Sequence, residues 1–207
     1  EIFELVQSFR DKIYSCELLD SNSLSVLDAD QRPGSGGEDL VFVELATENI
    51  EEILESFVAK LKLTPEEKVF QIEESKCHEL RMAVPRMTFE KNAQMGVTKK
   101  GTDVQVHPGK FSDLLRFYQK LSKEGISYNL FGHFGDAHLH FNFLPTPEQL
   151  GSCDEMFVEL YKEVKNWSGS PFAEHGVGVI KKKFIKHFYG KNQLAMFKTL
   201  KNKFDPK

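Results

Sequence analysis

The chain has 207 residues, 40% of them apolar and 28% charged, which is the composition of an ordinary globular protein and excludes a largely disordered one. Lys and Arg number 27 against 31 Asp and Glu, a formal net charge of −4; a mildly acidic, mixed surface excludes a general nucleic-acid binder and gives no pull towards an anionic membrane. Three widely spaced cysteines (Cys16, Cys77, Cys153) exclude a disulfide framework and a Cys-x-x-Cys motif, and fit apolar fillers in a reducing compartment, here the cytoplasm or a membrane-peripheral site in it.

Residues 1–14 have the periodicity of an amphipathic helix, and Ser15–Leu24 reads as a strand ending in the turn-rich Asp20–Ser23. Arg32–Gly37 is rich in glycine and is expected to be a surface loop. Leu40–Leu45 is apolar and β-branched, a buried strand. Thr47–Leu61 reads as a helix, Val69–Ile72 as a short strand, and Ser75–Val84 as a helix that stops at Pro85. Val104–His107 is a further strand, followed by a helix from Pro108 to about Lys123. Ser127–Phe131 and Ala137–Leu144 are strands, Thr146–Val164 a helix, and two helical segments close the chain at 178–188 and 192–203. Strands mixed with helices, with antiparallel connections, define an α+β domain. The chain opens on Glu1 without a leader-like segment, as expected of a piece of a longer protein.

The most informative stretch runs from Phe131 to Pro145. From His138 the alternation is strict: His138, His140 and Asn142 share one face of a strand, and Leu139, Phe141 and Phe143 the other. The rise of a strand sets neighbours on one face ~7 Å apart, and His133 lies one short turn upstream. Neutral imidazole is the commonest ligand of zinc and related ions, so a catalytic metal is one reading; ordinary strand histidines are the plainer one. A second stretch, Phe172–Lys181, contains Glu174-His175-Gly176 before a helical segment. Glu174 offers the carboxylate the histidine strand lacks, and His175 a group that titrates near neutral pH, suited to general-base work. The plainer reading is a helix-entry turn with a solvated acid. Arg81, Arg86, Lys99 and Lys100 form a basic element whose arginine fork matches a carboxylate, against the plainer reading of surface charge.

These stretches together resemble the C-terminal, substrate-side domain of FAD-linked oxidases of the vanillyl-alcohol-oxidase superfamily. The subgroup is the one that includes D-lactate dehydrogenase, glycolate oxidase and D-2-hydroxyglutarate dehydrogenase. The Gly-His-x-Gly-Asp-Gly-Asn-x-His-x-Asn pattern is matched by Gly132, His133, Gly135, Asp136, His140 and Asn142. The Glu-His-Gly-x-Gly-x-x-Lys pattern is matched by Glu174, His175, Gly176, Gly178 and Lys181. Leu80-Arg81-x-x-x-Pro85, Lys99-x-Gly-Thr-Asp-Val104 and Lys201-x-x-x-Asp-Pro206 match weaker motifs, so the resemblance runs the length of the chain. It departs from the pattern at Ala137-His138, where the family has Gly-Asn, and no flavin-gripping glycine segment is present.

The resemblance implies a ferredoxin-like antiparallel sheet with helices packed on one face and a C-terminal helical segment. It implies an FAD-binding domain outside residues 1–207 and oxidation of a D-2-hydroxy acid to a 2-oxo acid. A divalent metal, Zn or Mn, would be held by His133, His140 and Glu174. His175 would take the hydroxyl proton, while Arg81, Asn142 and Lys100 (or its neighbour Lys99) would bind substrate. The electron acceptor stays open, and a homodimer is allowed. Two other classes fit part of the sequence. His138-x-His140-x-Asn142 is close to the strand of histidine-triad nucleotide hydrolases, which needs neither metal nor flavin; a stand-alone binding module without catalysis is the other.

Overall fold

A computed structural model describes residues 1–33, 37–46, 48–61, 68–97 and 99–206. The elements follow in the order α1 (Ile2–Ser8), β1 (Ile13–Leu19), α2 (Ser21–Ser25), β2 (Leu40–Leu45), α3 (Ile50–Ala59), α4 (Glu74–Gln94), β3 (Lys100–Gly101) and β4 (Val104–Gln105). Then come α5 (Phe111–Leu121), β5 (Tyr128–His133), β6 (His138–Phe143), α6 (Leu150–Asn166), α7 (Ile185–Phe188) and α8 (Lys191–Phe204). Among the described residues the strands make one antiparallel sheet in the order β2-β1-β5-β6-β3, with β4 also paired to β6. The fold is α+β, as the sequence implies.

Alternation along the strands gives the sheet two different faces. Cys16 and Leu18 of β1 and Leu139, Phe141 and Phe143 of β6 belong to the larger core, closed by Val6 of α1, Phe57 of α3, Leu114 and Tyr118 of α5 and Phe157 and Tyr161 of α6. Aromatic rings knit this side: Phe141 stacks on Tyr128 with centroids 4.8 Å apart and meets Phe143 edge-on at 5.0 Å. The other face carries a smaller core of Leu19, Phe42 and Phe131 beneath Leu24 of α2 and Leu80 and Val84 of α4. The helical layer expected on one face is therefore joined by α2 and α4 on the second.

The local differences from the sequence reading have physical causes. Helix α4 does not stop at Pro85 but runs 21 residues through it. An internal proline costs roughly 3 kcal/mol. Leu80, Val84, Thr88 and Asn92, four residues apart, lie buried on both sides of it and offset that cost. Val69–Ile72 forms no strand, and its apolar residues sit between intermediate and exposed. The first fourteen residues split into α1, a 3-10 turn at Arg10–Lys12 and the start of β1. Of the glycine-rich Arg32–Gly37 loop, residues 34–36 lie outside the described set, as does Thr47 at the expected start of α3.

Candidate functional site

The site is built where β5 and β6 turn into each other. The hairpin register sets His133 opposite His138, Phe131 opposite His140 and Asn129 opposite Asn142, so all these side chains emerge on the second face. A 3-10 turn at Phe134–Asp136 joins the strands, and Ala137 closes it in the left-handed conformation at φ 51°. Gly132 is what admits the His140 imidazole: it has φ 135°, and a Cβ there would stand 3.1 Å from that ring. The polar face of β6 is not open to solvent: His138, His140 and Asn142 are all buried.

A second segment comes to this face along the sheet edge. Ser170 and Gln105 exchange backbone hydrogen bonds of 2.8 and 2.9 Å, extending β4 by one bridge. Gly169 makes that approach feasible, since a Cβ there would lie 2.7 Å from the Gln105 carbonyl oxygen. Asp103, between β3 and β4, then fixes the rest. Its carbonyl accepts from the Ala173 N–H at 2.9 Å. Its fully buried carboxylate accepts from the N–H of Glu174 (3.1 Å), the N–H of His175 (2.9 Å), Lys181 Nζ (3.0 Å) and His138 Nε2 (3.2 Å). Burial opposes its ionisation, but the hydrogen bonds from His138 and Lys181 outweigh that and hold the carboxyl well below the usual range.

The outcome is convergence on one atom. Oε2 of Glu174 stands 3.5 Å from His133 Nε2, 3.7 Å from His140 Nε2 and 3.8 Å from His175 Nε2. Ligand atoms of His133, His138, His140 and Glu174 all lie within 4.8 Å of one another. The Nδ1 atoms of His133 and His140 are occupied. His133 Nδ1 donates to Glu17 Oε1 at 2.8 Å, and His140 Nδ1 donates to the Thr102 carbonyl at 3.2 Å. These contacts leave Nε2 of His133 and of His140 with a lone pair facing Glu174, the arrangement that orients metal-binding imidazoles. Burial pushes the His140 imidazole down to about 4, so it is neutral and ready to donate, whereas the Glu17 carboxylate pushes His133 up.

The structure thus brings His133, His140, Glu174 and His175 together. Arg81, from α4, binds Glu17 Oε1 at 2.8 Å and lines a cleft of about 410 Å³ with His133, Glu17, Arg10 and Tyr14. Asn142 lies on the same face: its Nδ2 donates to the His140 carbonyl at 3.2 Å, and its buried Oδ1 has no partner among the described residues. Lys100 is not brought to the site. It pairs with Phe143 in the register, so its side chain joins the opposite face and holds Asp154 of α6 at 2.6 Å. Lys99 faces the site instead. Its stem lies beside Gly101, and its ammonium stands 5.9 Å above Phe131. Burial and the neighbouring Lys181 lower its pKa.

Two residues of this geometry are given no role in the sequence reading. Glu17, 5% exposed, is an acid inside the apolar run of β1, and that mismatch is the signal that would find it. Asp103 sits in the Gly-Thr-Asp-Val motif, yet its role depends on a loop some seventy positions away.

Residues 2–207 match the family of FAD linked oxidases, C-terminal domain, and the chain belongs to that family. It is 33% identical over 81 residues to a D-2-hydroxyglutarate dehydrogenase of Stutzerimonas stutzeri, covering 37% of this chain and 18% of that protein. It is 29% identical over 107 residues to the mitochondrial D-lactate dehydrogenase [cytochrome] of Kluyveromyces lactis, covering 51% and 19%. It is 29% identical over 89 residues to the glycolate oxidase protein GlcD of Bacillus subtilis, covering 42% and 19%. The match spans less than a fifth of each relative's length. The family assignment stands against the nucleotide-hydrolase alternative. Among the described residues no helix is long and apolar enough to cross a membrane.

Proposed function

We propose that this chain is the substrate- and metal-binding domain of an FAD-dependent dehydrogenase that oxidises a D-2-hydroxy acid to the 2-oxo acid. The observation that carries the reading is the convergence of three imidazole Nε2 atoms on one oxygen of Glu174, at 3.5–3.8 Å. Bonds of ~2.0–2.2 Å to one ion put donor atoms roughly 3–4 Å apart, so His133, His140 and Glu174 fit a single Zn or Mn ion. The bound ion would polarise the substrate's hydroxyl and carboxylate oxygens, and flavin on a domain outside these residues would accept the hydride.

The chain's own groups divide the remaining work. His175 Nε2 receives the hydroxyl proton; its ring is 56% exposed, so the proton can pass on to water. Arg81 uses one nitrogen on Glu17 and keeps donors for the substrate carboxylate. Asn142 orients the substrate through its unpartnered Oδ1, and Lys99, in place of Lys100, supplies positive charge. Asp103 keeps Glu174 and His175 in register by their backbone N–H groups. The FAD-binding domain and a small 2-hydroxy acid are the partners. Three free cysteines suit a reducing compartment; the Kluyveromyces relative is named mitochondrial, so we propose the cytoplasm or the mitochondrial interior.

Metal analysis of the purified chain tests the centre: one equivalent of Zn or Mn is expected, and none would refute it. Stopped-flow flavin reduction by a D-2-hydroxy acid tests the chemistry in the FAD-carrying protein. His175→Ala should keep flavin and metal and slow reduction by ~10²–10⁴-fold. An unchanged rate removes the proton-accepting role.

A further inference from the structure

The polar face of β6 carries one imidazole more than the family pattern supplies. His138 stands where that pattern has asparagine, and it is only 5% exposed. Its Nε2 donates to Asp103 Oδ1 at 3.2 Å, which leaves Nδ1 as the lone-pair nitrogen. A ring nitrogen of His138 lies within 4.8 Å of the ligand atoms of His133, His140 and Glu174, each within that distance of the others.

We propose that His138 is a fourth protein ligand, so that the centre holds its ion through three imidazoles and one carboxylate. The inference rests on the metal reading above and extends it. All three histidines of this face share one construction. Glu17 fixes a nitrogen of His133, the Thr102 carbonyl one of His140 and Asp103 one of His138, and among the described residues the second nitrogen of each makes no hydrogen bond. His138 is also drawn within 4.8 Å of the carboxylate and rings of the cluster, which support of Asp103 alone does not require.

The ligand count selects the ion. Four protein donors close a four-coordinate zinc site, as in structural zinc centres. A six-coordinate ion such as Mn²⁺ keeps two positions, the number a 2-hydroxy acid needs to bind through its hydroxyl and one carboxylate oxygen. The four-ligand set therefore favours Mn²⁺, or another six-coordinate ion, over Zn²⁺ at a centre that must admit substrate.

The test uses Mn²⁺ alone, titrated into the purified chain and followed by the EPR signal of the free ion. His138→Gln keeps a side-chain N–H for Asp103 and removes the imidazole. It should bind Mn²⁺ at least ~10–100-fold more weakly than wild type. Wild-type affinity in His138→Gln overturns the assignment and leaves Asp103 support as the residue's role. A measurement on the unmutated chain guards against a folding defect: pulsed EPR of the Mn²⁺-loaded protein should count three coordinated imidazoles, and two would overturn the proposal. Intense absorption typical of four-coordinate Co²⁺ in the Co²⁺-loaded protein would overturn the preference for a six-coordinate ion. If wild type binds no ion, the metal reading itself falls and takes this one with it. If His140→Ala releases the ion while His138→Gln does not weaken it, only the His138 assignment fails.

Discussion

The two faces of β6 are made by the same six residues and are held by different forces. Leu139, Phe141 and Phe143 are completely buried among aromatic rings, and their contribution is area removed from water. His138, His140 and Asn142 are as well buried, yet each is placed by a directed hydrogen bond. An apolar face tolerates exchange of one filler for another of like volume. A polar face is specified atom by atom, because a buried donor or acceptor without a partner costs ~1–3 kcal/mol. Changes on the first should therefore register as lost stability, and changes on the second as lost ion binding.

Phe141→Ala should have the largest effect. Its ring touches Tyr118, Tyr128 and Phe143, and the cavity left should lower the unfolding free energy by about 3–5 kcal/mol in urea titration. A loss below about 1 kcal/mol would mean that this face is not the core. His140→Ala should weaken Mn²⁺ or Zn²⁺ binding by more than about 100-fold, beyond what an outer-shell change produces, and calorimetric titration reads it. Glu17→Gln tests the outer shell: ~10–100-fold weaker binding is expected, since the His133 ring loses its carboxylate and Arg81 its partner. Wild-type affinity in Glu17→Gln would show that His133 is oriented by the strand alone.

Asp154→Asn probes the apolar side, where Lys100 and Lys183 meet Asp154. Burial raises the Asp154 pKa, but hydrogen bonds from the two lysines lower it further, so the net shift is downwards. A carboxyl with a depressed folded-state pKa contributes stability above its unfolded value of ~3.9, and loses it as the pH falls towards the folded one. The variant should be less stable by about 1–2 kcal/mol at pH 7, and the gap should shrink below about pH 4, with ion affinity unchanged. Lys120→Ala, at an exposed ion pair with Glu159, should leave the urea midpoint unchanged and serves as the control.

The comparison also explains what was legible beforehand. Strict alternation from His138 to Phe143 announces both faces, because side chains on a strand point to opposite sides whatever the surroundings. The Glu174-His175-Gly176 motif likewise stands out by residue type. Lys99 and Lys100 could not be told apart, since which neighbour turns inward depends on the pairing of Lys100 with Phe143. The contribution of Glu17 arises only when β1 is laid beside β5. Pro85 misleads in the opposite sense: its local penalty is legible, while the buried stripe that overrides it exists only once α4 lies on the sheet. Local chemistry is written in the sequence, and partners drawn from distant strands are not.

The absence of a side chain at Gly169 has a reach beyond its own backbone. The proposed acidic ligand and the proposed base hang from a strap that meets the sheet at the Gln105–Ser170 bridge, and a methyl group at 169 would press against the Gln105 carbonyl at 2.7 Å. Lifting the strap there would swing the carboxylate away from imidazoles that have not moved. A residue with no donor atom to offer would thereby govern whether the proposed centre is assembled at all, and an alanine in its place should present as a protein that binds no metal with every proposed ligand intact.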